Sequence, residues 1–218
     1  MAESEELQQL AAQLRKPEGA KGLEIGDMMN ATNIGMTKHA IAQMNLQDHE
    51  RVLELGHGNC KHLQHLLSQA DNLEYHGLEM SELMHQEAKQ YNRAFTDGLQ
   101  AHFHFYNGQK NPFPDQYFDK MFTVNTIYFW QDPLQVLAEL HRVLKPGGLL
   151  CISFAMENFM KQLPFTRFGF ELYDAEKVKQ LIEMSLFSFS HTTRQTETIM
   201  GKTGDRMERE FATVTALK

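Results

Sequence analysis

Between residues 51 and 155 the chain repeats one pattern: a short apolar run, a break at glycine or a polar residue, then apolar positions at helical spacing. Val52, Leu53 and Leu55 form the first run, of the kind a parallel strand buried on both faces presents. Gly56 and Gly58 follow, and residues 60–70 then carry Leu63, Leu66 and Leu67 at the spacing of an amphipathic helix. Further strands are expected at 75–79, 101–106, 120–125 and 149–154, interleaved with helical runs at 81–95 and 134–144. A helix over 37–46, with Ala40, Ile41 and Met44 on one face, precedes the first strand. Alternation of this sort predicts an α/β fold with a doubly wound, mostly parallel sheet. Asp132 before Pro133 is an N-cap signal, and the run from Lys145 to Gly148 predicts the turn that closes that helix.

After residue 155 the pattern changes. A Phe- and Met-rich connection over 156–173 leads to a helix capped by Asp174, and two strand-like runs, 186–198 and 208–217, flank the turn from Gly201 to Gly204. Two such runs around a glycine turn predict an antiparallel hairpin and bring the strand total to seven. The 218 residues suffice for one sizeable core. They read as one domain of three parts: N-terminal lid or cap helices at 1–46, a cofactor-binding core at 51–155, and a substrate-side connection, helix and hairpin at 156–218.

Composition narrows the function classes. No apolar run approaches the ~20 residues that span a bilayer, and the acidic start Met-Ala-Glu-Ser-Glu-Glu lacks the basic region of a signal peptide, so no membrane span and a cytoplasmic location are expected. Only Cys60 and Cys151 are present, which indicates no disulfide framework. The net charge is −7, and the basic residues fall in pairs such as Arg15 with Lys16 rather than in stripes, which disfavours a nucleic-acid partner.

The chemistry starts at the first glycine pair. Gly56 and Gly58 let the backbone turn sharply and approach a ligand that a Cβ would push away, and a strand–glycine–helix unit places that ligand at the carboxyl edge of a parallel sheet. Dinucleotides and adenosine-type cofactors both use such loops. The third glycine of a dinucleotide fingerprint is Lys61 here, which argues against a dehydrogenase. Glu79, roughly twenty residues beyond the loop, suits a ribose diol in either case.

Asn107, the run from Pro112 to Asp115, Phe118 with Asp119, and Leu144-Lys-Pro-Gly-Gly148 follow in fixed order. With Glu54, Gly56, Gly58 and Glu79, this set resembles the class I S-adenosylmethionine-dependent methyltransferases, the small-molecule group typified by ubiquinone and menaquinone biosynthesis methyltransferases. The resemblance is specific over 51–155. It implies a Rossmann-like seven-stranded sheet with a C-terminal antiparallel pair, S-adenosyl-L-methionine as cofactor and S-adenosyl-L-homocysteine as product. It also implies roles for individual residues. Glu54 orients the methionine end, Gly56, His57 and Gly58 form the loop beneath it, Glu79 with Met80 holds the ribose, Asn107 with Gly108 meets the adenine, and Asn125 lies near the transferring methyl. The chain departs from the family at Cys60, where a third glycine is common, at His57, where a small residue is usual, and at Asn107, where Asp is common.

Methyl transfer from a sulfonium needs neither a covalent nucleophile nor a metal, only alignment and desolvation. A lid is expected over 16–33, because Gly19, Gly22 and Gly26 interrupt regular structure while Met28, Met29, Asn30 and Asn33 supply apolar and amide contacts. Tyr128, Phe129 and Trp130 follow the fourth strand at the substrate edge, and Tyr128 is the candidate acceptor contact, with Trp130 beside it. The histidines, among them His62 and His65 on one helix and His102 and His104 on one strand, are read as packing rather than metal ligands, with His102 and His104 on the wet face of an outer strand. The function expected is methyl transfer to a small-molecule acceptor by a monomer or homodimer. The alternatives are a catalytically silent or regulatory S-adenosylmethionine binder and an NAD-dependent oxidoreductase.

Overall fold

The computed structural model describes residues 2–108, 110–200 and 206–218; the expected turn at 201–204 lies outside the described residues. Seven strands form one sheet in the order β3-β2-β1-β4-β5-β7-β6. They are β1 (Arg51–Leu55), β2 (Glu74–Glu79), β3 (Ala101–Phe105), β4 (Phe118–Val124), β5 (Leu144–Ala155), β6 (Ser188–Met200) and β7 (Arg206–Leu217). The first five pair in parallel, and β7 lies antiparallel between β5 and β6. Every strand predicted from the apolar pattern is present, and the third lies at the sheet edge.

Helices α1 (Ala2–Arg15), α2 (Gly19–Met44), α3 (Leu63–Leu67), α4 (Glu82–Tyr91), α5 (Arg93–Asp97), α6 (Pro133–Val143), α7 (Glu157–Met160) and α8 (Ala175–Met184) connect and cover the sheet. One face packs Val52, Tyr75, Phe122 and Cys151 against Ile41 and Met44 of α2 and Leu63 and Leu66 of α3. The other packs Leu53, Met121 and Ile152 against Leu137 and Leu140 of α6 and Val178 and Ile182 of α8. The capping signals hold: Asp132 Oδ1 accepts from Gln135 N at 3.0 Å and Asp174 Oδ1 from Lys177 N at 2.7 Å.

Four local expectations change. The chain breaks only at 16–18, where Gly19 (φ +64°) opens α2, while Gly22 and Gly26 do not interrupt that helix, which runs unbroken for 26 residues. Gly22 and Gly26 instead admit α4: a Cβ at Gly26 would stand 2.6 Å from Met84 Sδ, and one at Gly22 would stand 2.9 Å from Leu83 Cδ2. The helical run 81–95 divides at Asn92, whose side-chain amide donates to Ala88 O at 3.0 Å and to Cys60 O at 3.1 Å. Residues 145–148 are a bulge rather than a loop, because β5 begins at Leu144 and its register with β4 shifts between Phe118 and Lys120.

The histidines of β3 are half-buried rather than fully solvated, the His102 side chain keeping 32% of its exposure. His76 of β2 stacks between His102 and His104, with centroids at 4.7 and 5.5 Å, while Phe105 is 55% exposed. Burial pushes the His76 imidazole below its ordinary range and the His104 imidazole down to about 4.

Candidate active site

A cavity of about 890 Å³ opens at the carboxyl ends of β1, β2 and β4, beneath α2. Its floor is the loop after β1. Gly56 (φ +77°) and Gly58 (φ +56°) both take left-handed backbone that disfavours a side chain. A Cβ at Gly56 would lie 2.4 Å from Thr126 Cγ2, whereas one at Gly58 would meet nothing within 4 Å. The first glycine therefore lets the loop close on β4's end, and the second leaves room.

Glu54 is 2% exposed, and its Oε2 accepts from the Tyr75 hydroxyl at 2.6 Å and from His62 Nε2 at 2.8 Å. Burial alone would lower the His62 pKa, but the Glu54 carboxylate and Cys60 outweigh it and hold it well above the usual imidazole range. Buried beside it, the Cys60 thiol is pushed up and donates to Tyr75 Oη at 3.2 Å. The Tyr75 hydroxyl is raised further by burial and the negative charge of Glu54. His57 donates from Nδ1 to Gly58 O at 2.7 Å, and burial lowers it to about 4, so its ring is neutral.

At the end of β2, Glu79 gathers three backbone donors. Gly58 N reaches Oε2 at 2.9 Å, and Met80 N and Ser81 N both reach Oε1 at 2.8 Å. Burial pushes this carboxyl above its ordinary range, against the pull of those three N–H groups. Met80, Asn107 and Gly108 continue the same wall.

The opposite wall belongs to α2 and to the segment after β4. Met29, Asn30 and Asn33 face the cavity from α2, and Phe129 and Trp130 face it from below. Polar ties fix α2 there. Asp27 Oδ1 accepts from Asn59 Nδ2 at 2.8 Å and from Lys61 Nζ at 2.5 Å, and Ser81 Oγ donates to Pro17 O at 2.6 Å. Asn33 Oδ1 accepts from Asn125 Nδ2 at 3.1 Å and from Arg209 Nη1 at 2.9 Å. Arg209, on β7 and 4% exposed, also donates to Thr32 O at 2.6 Å and pairs with Glu197 at 2.6 Å.

The structure thus brings Glu54, Gly56, His57, Gly58, Glu79, Met80, Asn107, Gly108 and Asn125 together with Met29, Asn30, Asn33 and Trp130 around one cavity. Two predicted residues stand elsewhere. Met28 faces a separate groove between α1 and α2, with Leu7 and Leu10. Tyr128 is 3% exposed and lies behind the wall, its hydroxyl directed to Ala155 O at 2.8 Å and Asn125 Oδ1 at 2.9 Å. Burial raises its pKa far above that of a free phenol. Asn125 is held from both ends, because its Oδ1 also accepts from Ala155 N at 3.1 Å, and its φ of +56° is the left-handed conformation that Asn tolerates.

Sequence reasoning missed Tyr75 and His62 as supports of Glu54, and Arg209 as the tie between β7 and α2. The sequence around Arg209, flanked by Glu208 and Glu210 with Arg206 nearby, reads as a solvated charged stretch and gives no signal for this tie.

Residues 53–152 match the methyltransferase domain family. Over 130 residues, 59% of the chain, the sequence is 28% identical to an uncharacterized methyltransferase, YdaC, of Bacillus subtilis (strain 168), and covers 68% of that protein. Among solved structures, the complex of the Haloferax volcanii Trm112 methyltransferase activator with a candidate methyltransferase contains a chain of TM-score 0.70 and 17% identity, covering 88% of this chain and 92% of that one. A SAM-dependent methyltransferase from Aquifex aeolicus superposes at TM-score 0.64 with 18% identity over 97% of this chain and 98% of its own. Residues 53–152 thus carry the match to the methyltransferase domain, and the parallel sheet closed by an antiparallel pair is the fold of the solved methyltransferases on which the chain superposes.

Proposed function

We propose that the chain transfers the methyl of S-adenosyl-L-methionine to a small-molecule acceptor held between α2 and the segment that follows β4. The observation that carries this reading is the unspent hydrogen-bonding capacity of the two buried carboxylates. Of roughly four lone-pair sites on a carboxylate, Glu79 has three filled by backbone N–H groups, which leaves one for a ribose hydroxyl. Glu54 has two partners on Oε2, while Oε1 has none among the described residues and suits an ammonium group. The open side of Gly58 suits the body of the cofactor, and Asn107 the adenine edge. The residues therefore fit the cofactor.

When bound, the cofactor supplies a methyl already made electrophilic by its sulfonium. The protein's part is to orient the acceptor's lone pair along the methyl–sulfur axis and to keep water out. Met29, Phe129 and Trp130 offer an apolar bed for the acceptor, and Asn30 and Asn33 offer amide contacts. Asn125, clamped between Tyr128, Ala155 and Asn33, positions the chain beside the methyl. The narrower kinship with ubiquinone and menaquinone methyltransferases, and a monomeric or homodimeric cytoplasmic enzyme, belong to the same proposal.

Calorimetry with S-adenosylmethionine, S-adenosylhomocysteine and NAD, followed by mass spectrometry of products from a mixed acceptor panel and of ligand carried through purification, tests it. The first two ligands should bind and NAD should not. Cofactor binding without a methylated product from any acceptor, including the co-purified one, would assign a silent binder instead.

A further inference from the structure

We propose that Glu74, His76 and His102 form a site for one divalent ion of the zinc class, clasping edge strand β3 to β2 at the end of the sheet remote from the cofactor cavity. The placement follows from strand geometry. His76 and His102 are register partners on neighbouring parallel strands, and Glu74 precedes His76 by two residues, so all three point to one face. Glu74 opens β2 and Glu79 closes it, which separates the two sites by the length of the strand.

The three ligand atoms lie within 4.8 Å of one another. Glu74 Oε1 stands 2.9 Å from His76 Nε2 and 3.8 Å from His102 Nε2. Zinc bonds to imidazole and carboxylate of about 2.0–2.2 Å put the ligand atoms of a tetrahedral site about 3.4 Å apart, a value those two distances bracket. Two imidazoles and a carboxylate are a borderline N/O donor set suited to zinc, with water as fourth ligand. Access is open, since the side chains of Glu74 and His102 are each 32% exposed.

An outer shell is also in place, and outer-shell partners orient and tune metal ligands. His76 Nδ1 lies 3.3 Å from His104 Nε2, and Glu74 Oε2 accepts from Arg51 Nε at 2.9 Å. Arg51 lies over the Tyr117 ring at 4.6 Å, so its charge is spent on Oε2 and the ring rather than on Oε1. Without metal, His76 donates from Nε2 to Glu74 and accepts at Nδ1 from His104. Ligation of a metal by Nε2 moves the His76 proton to Nδ1, which then donates to His104 Nε2, whose own proton has moved to Nδ1. Both rings exchange tautomers, the bond between them reverses, and no net proton is lost.

A second group of candidate ligands, Glu54, Cys60 and His62, is fully buried and already closed on itself through Tyr75. It differs in one ligand type, a thiol, and that difference makes the test decisive. Titration of the full chain with Zn2+ should give one equivalent bound and a higher melting temperature, by mass action on the folded state. His102→Gln and Glu74→Gln should abolish both effects. His104→Phe, which keeps the stack and removes the nitrogen, should weaken binding by about 10–100-fold. Co2+ should give a ligand-field spectrum without a thiolate charge-transfer band, and X-ray absorption at the zinc edge of the wild type should read nitrogen and oxygen but no sulfur. Wild-type affinity in both glutamine variants, no uptake of Zn2+ by the wild type, or a sulfur ligand in either spectrum overturns the proposal. The spectra need only the wild-type protein, so they decide the matter even where a variant fails to fold.

Discussion

The carboxyl edge of the parallel half and the antiparallel joint between β5 and β7 treat polar groups in opposite ways. Around the cavity the chain leaves its strands through left-handed residues, Gly56, Gly58, Cys60 and Asn125, and buried carboxylates retain unfilled lone pairs. In the β5–β7 ladder the register runs unbroken from Leu149↔Leu217 to Ala155↔Phe211, and buried hydroxyls are closed on each other, Thr213 Oγ1 donating to Ser153 Oγ at 3.0 Å. Strain and spare valence thus gather around the cavity, while the joint satisfies itself and serves as the frame. Arg209 is where the two regimes meet, a frame residue that reaches α2 above the cavity.

Breaking that meeting point should have the largest effect. Arg209→Met leaves the Glu197 carboxylate without its guanidinium partner and removes one of the two donors to Asn33 Oδ1 and the side-chain donor to Thr32 O, and truncating one partner of a buried pair costs about 3–5 kcal/mol. The lower end is expected, because the Glu197 side chain keeps 22% of its exposure. Urea unfolding measures the loss. A cost within experimental error would show that the apolar face of α2 and its ties through Asp27 and Asn125 hold it without Arg209.

The second test separates strain from packing at the loop. Gly56→Ala must force a left-handed alanine, about 1–3 kcal/mol, and push against Thr126 Cγ2. Thr126→Ser deletes only that methyl. The double variant should recover the clash and keep the strain, with a coupling between ~0.5 and 3 kcal/mol, and cofactor binding should follow stability. Strict additivity would mean that the loop relaxes away from β4.

The sequence makes this contrast partly legible. The strands of the core are readable because each is a short apolar run bounded by glycine or a polar cap, and Glu54, the glycines and Glu79 are readable because ligand loops at a sheet edge need those residue types in that order. The glycines of α2 mislead, since a glycine that breaks a helix and one that admits a neighbouring helix look alike until Leu83 and Met84 are known to lie opposite. Tyr128 misleads for a similar reason: an aromatic after a strand faces the cavity or the core according to a rotation that spacing does not encode. His76 gives no signal of its own, because its partners, His102 and His104, join it only through the register of β2 with β3.

A third test returns to the open carboxylate. Glu79→Ala removes the group offered to the ribose, and loss of a hydrogen bond to a charged group should weaken S-adenosylmethionine binding by ~1.5–3 kcal/mol. The backbone N–H groups of Gly58, Met80 and Ser81 lose their acceptor as well, so Glu79→Gln is the milder companion. Calorimetry reads both, and unchanged affinity in Glu79→Ala would remove this residue from the cofactor site.

The His62–Glu54 pair gives a pH signature that the joint cannot produce. His62 has a folded pKa raised above its unfolded value near 6.5. Its contribution to stability is therefore complete below about that pH and is lost as pH rises through the folded pKa. Wild type compared with His62→Gln should show an advantage that shrinks on going alkaline. An advantage that instead grows as pH rises through about 6.5 would mean that the ring is neutral in the folded protein.

The smallest effect is expected at Tyr128, and it separates a positioning hydroxyl from a reacting one. Tyr128→Phe keeps the ring against Phe129 and Phe170, so packing survives. Ala155 O loses a donor, while Asn125 Oδ1 keeps Ala155 N, which points to a stability loss of about 0.5–1.5 kcal/mol. If the hydroxyl only steadies Asn125, turnover should fall several-fold with an unchanged pH profile, because a phenol held proton-bound by burial does not titrate in the working range. A hydroxyl that handled the acceptor's proton would instead cost the ~10²–10⁴-fold of general acid–base catalysis and remove a limb of the profile. Asn125→Asp gives the complementary reading: it replaces the amide that donates to Asn33 with a second acceptor, so its loss should exceed that of Tyr128→Phe. The reverse order would put the tyrosine, not the asparagine, beside the methyl.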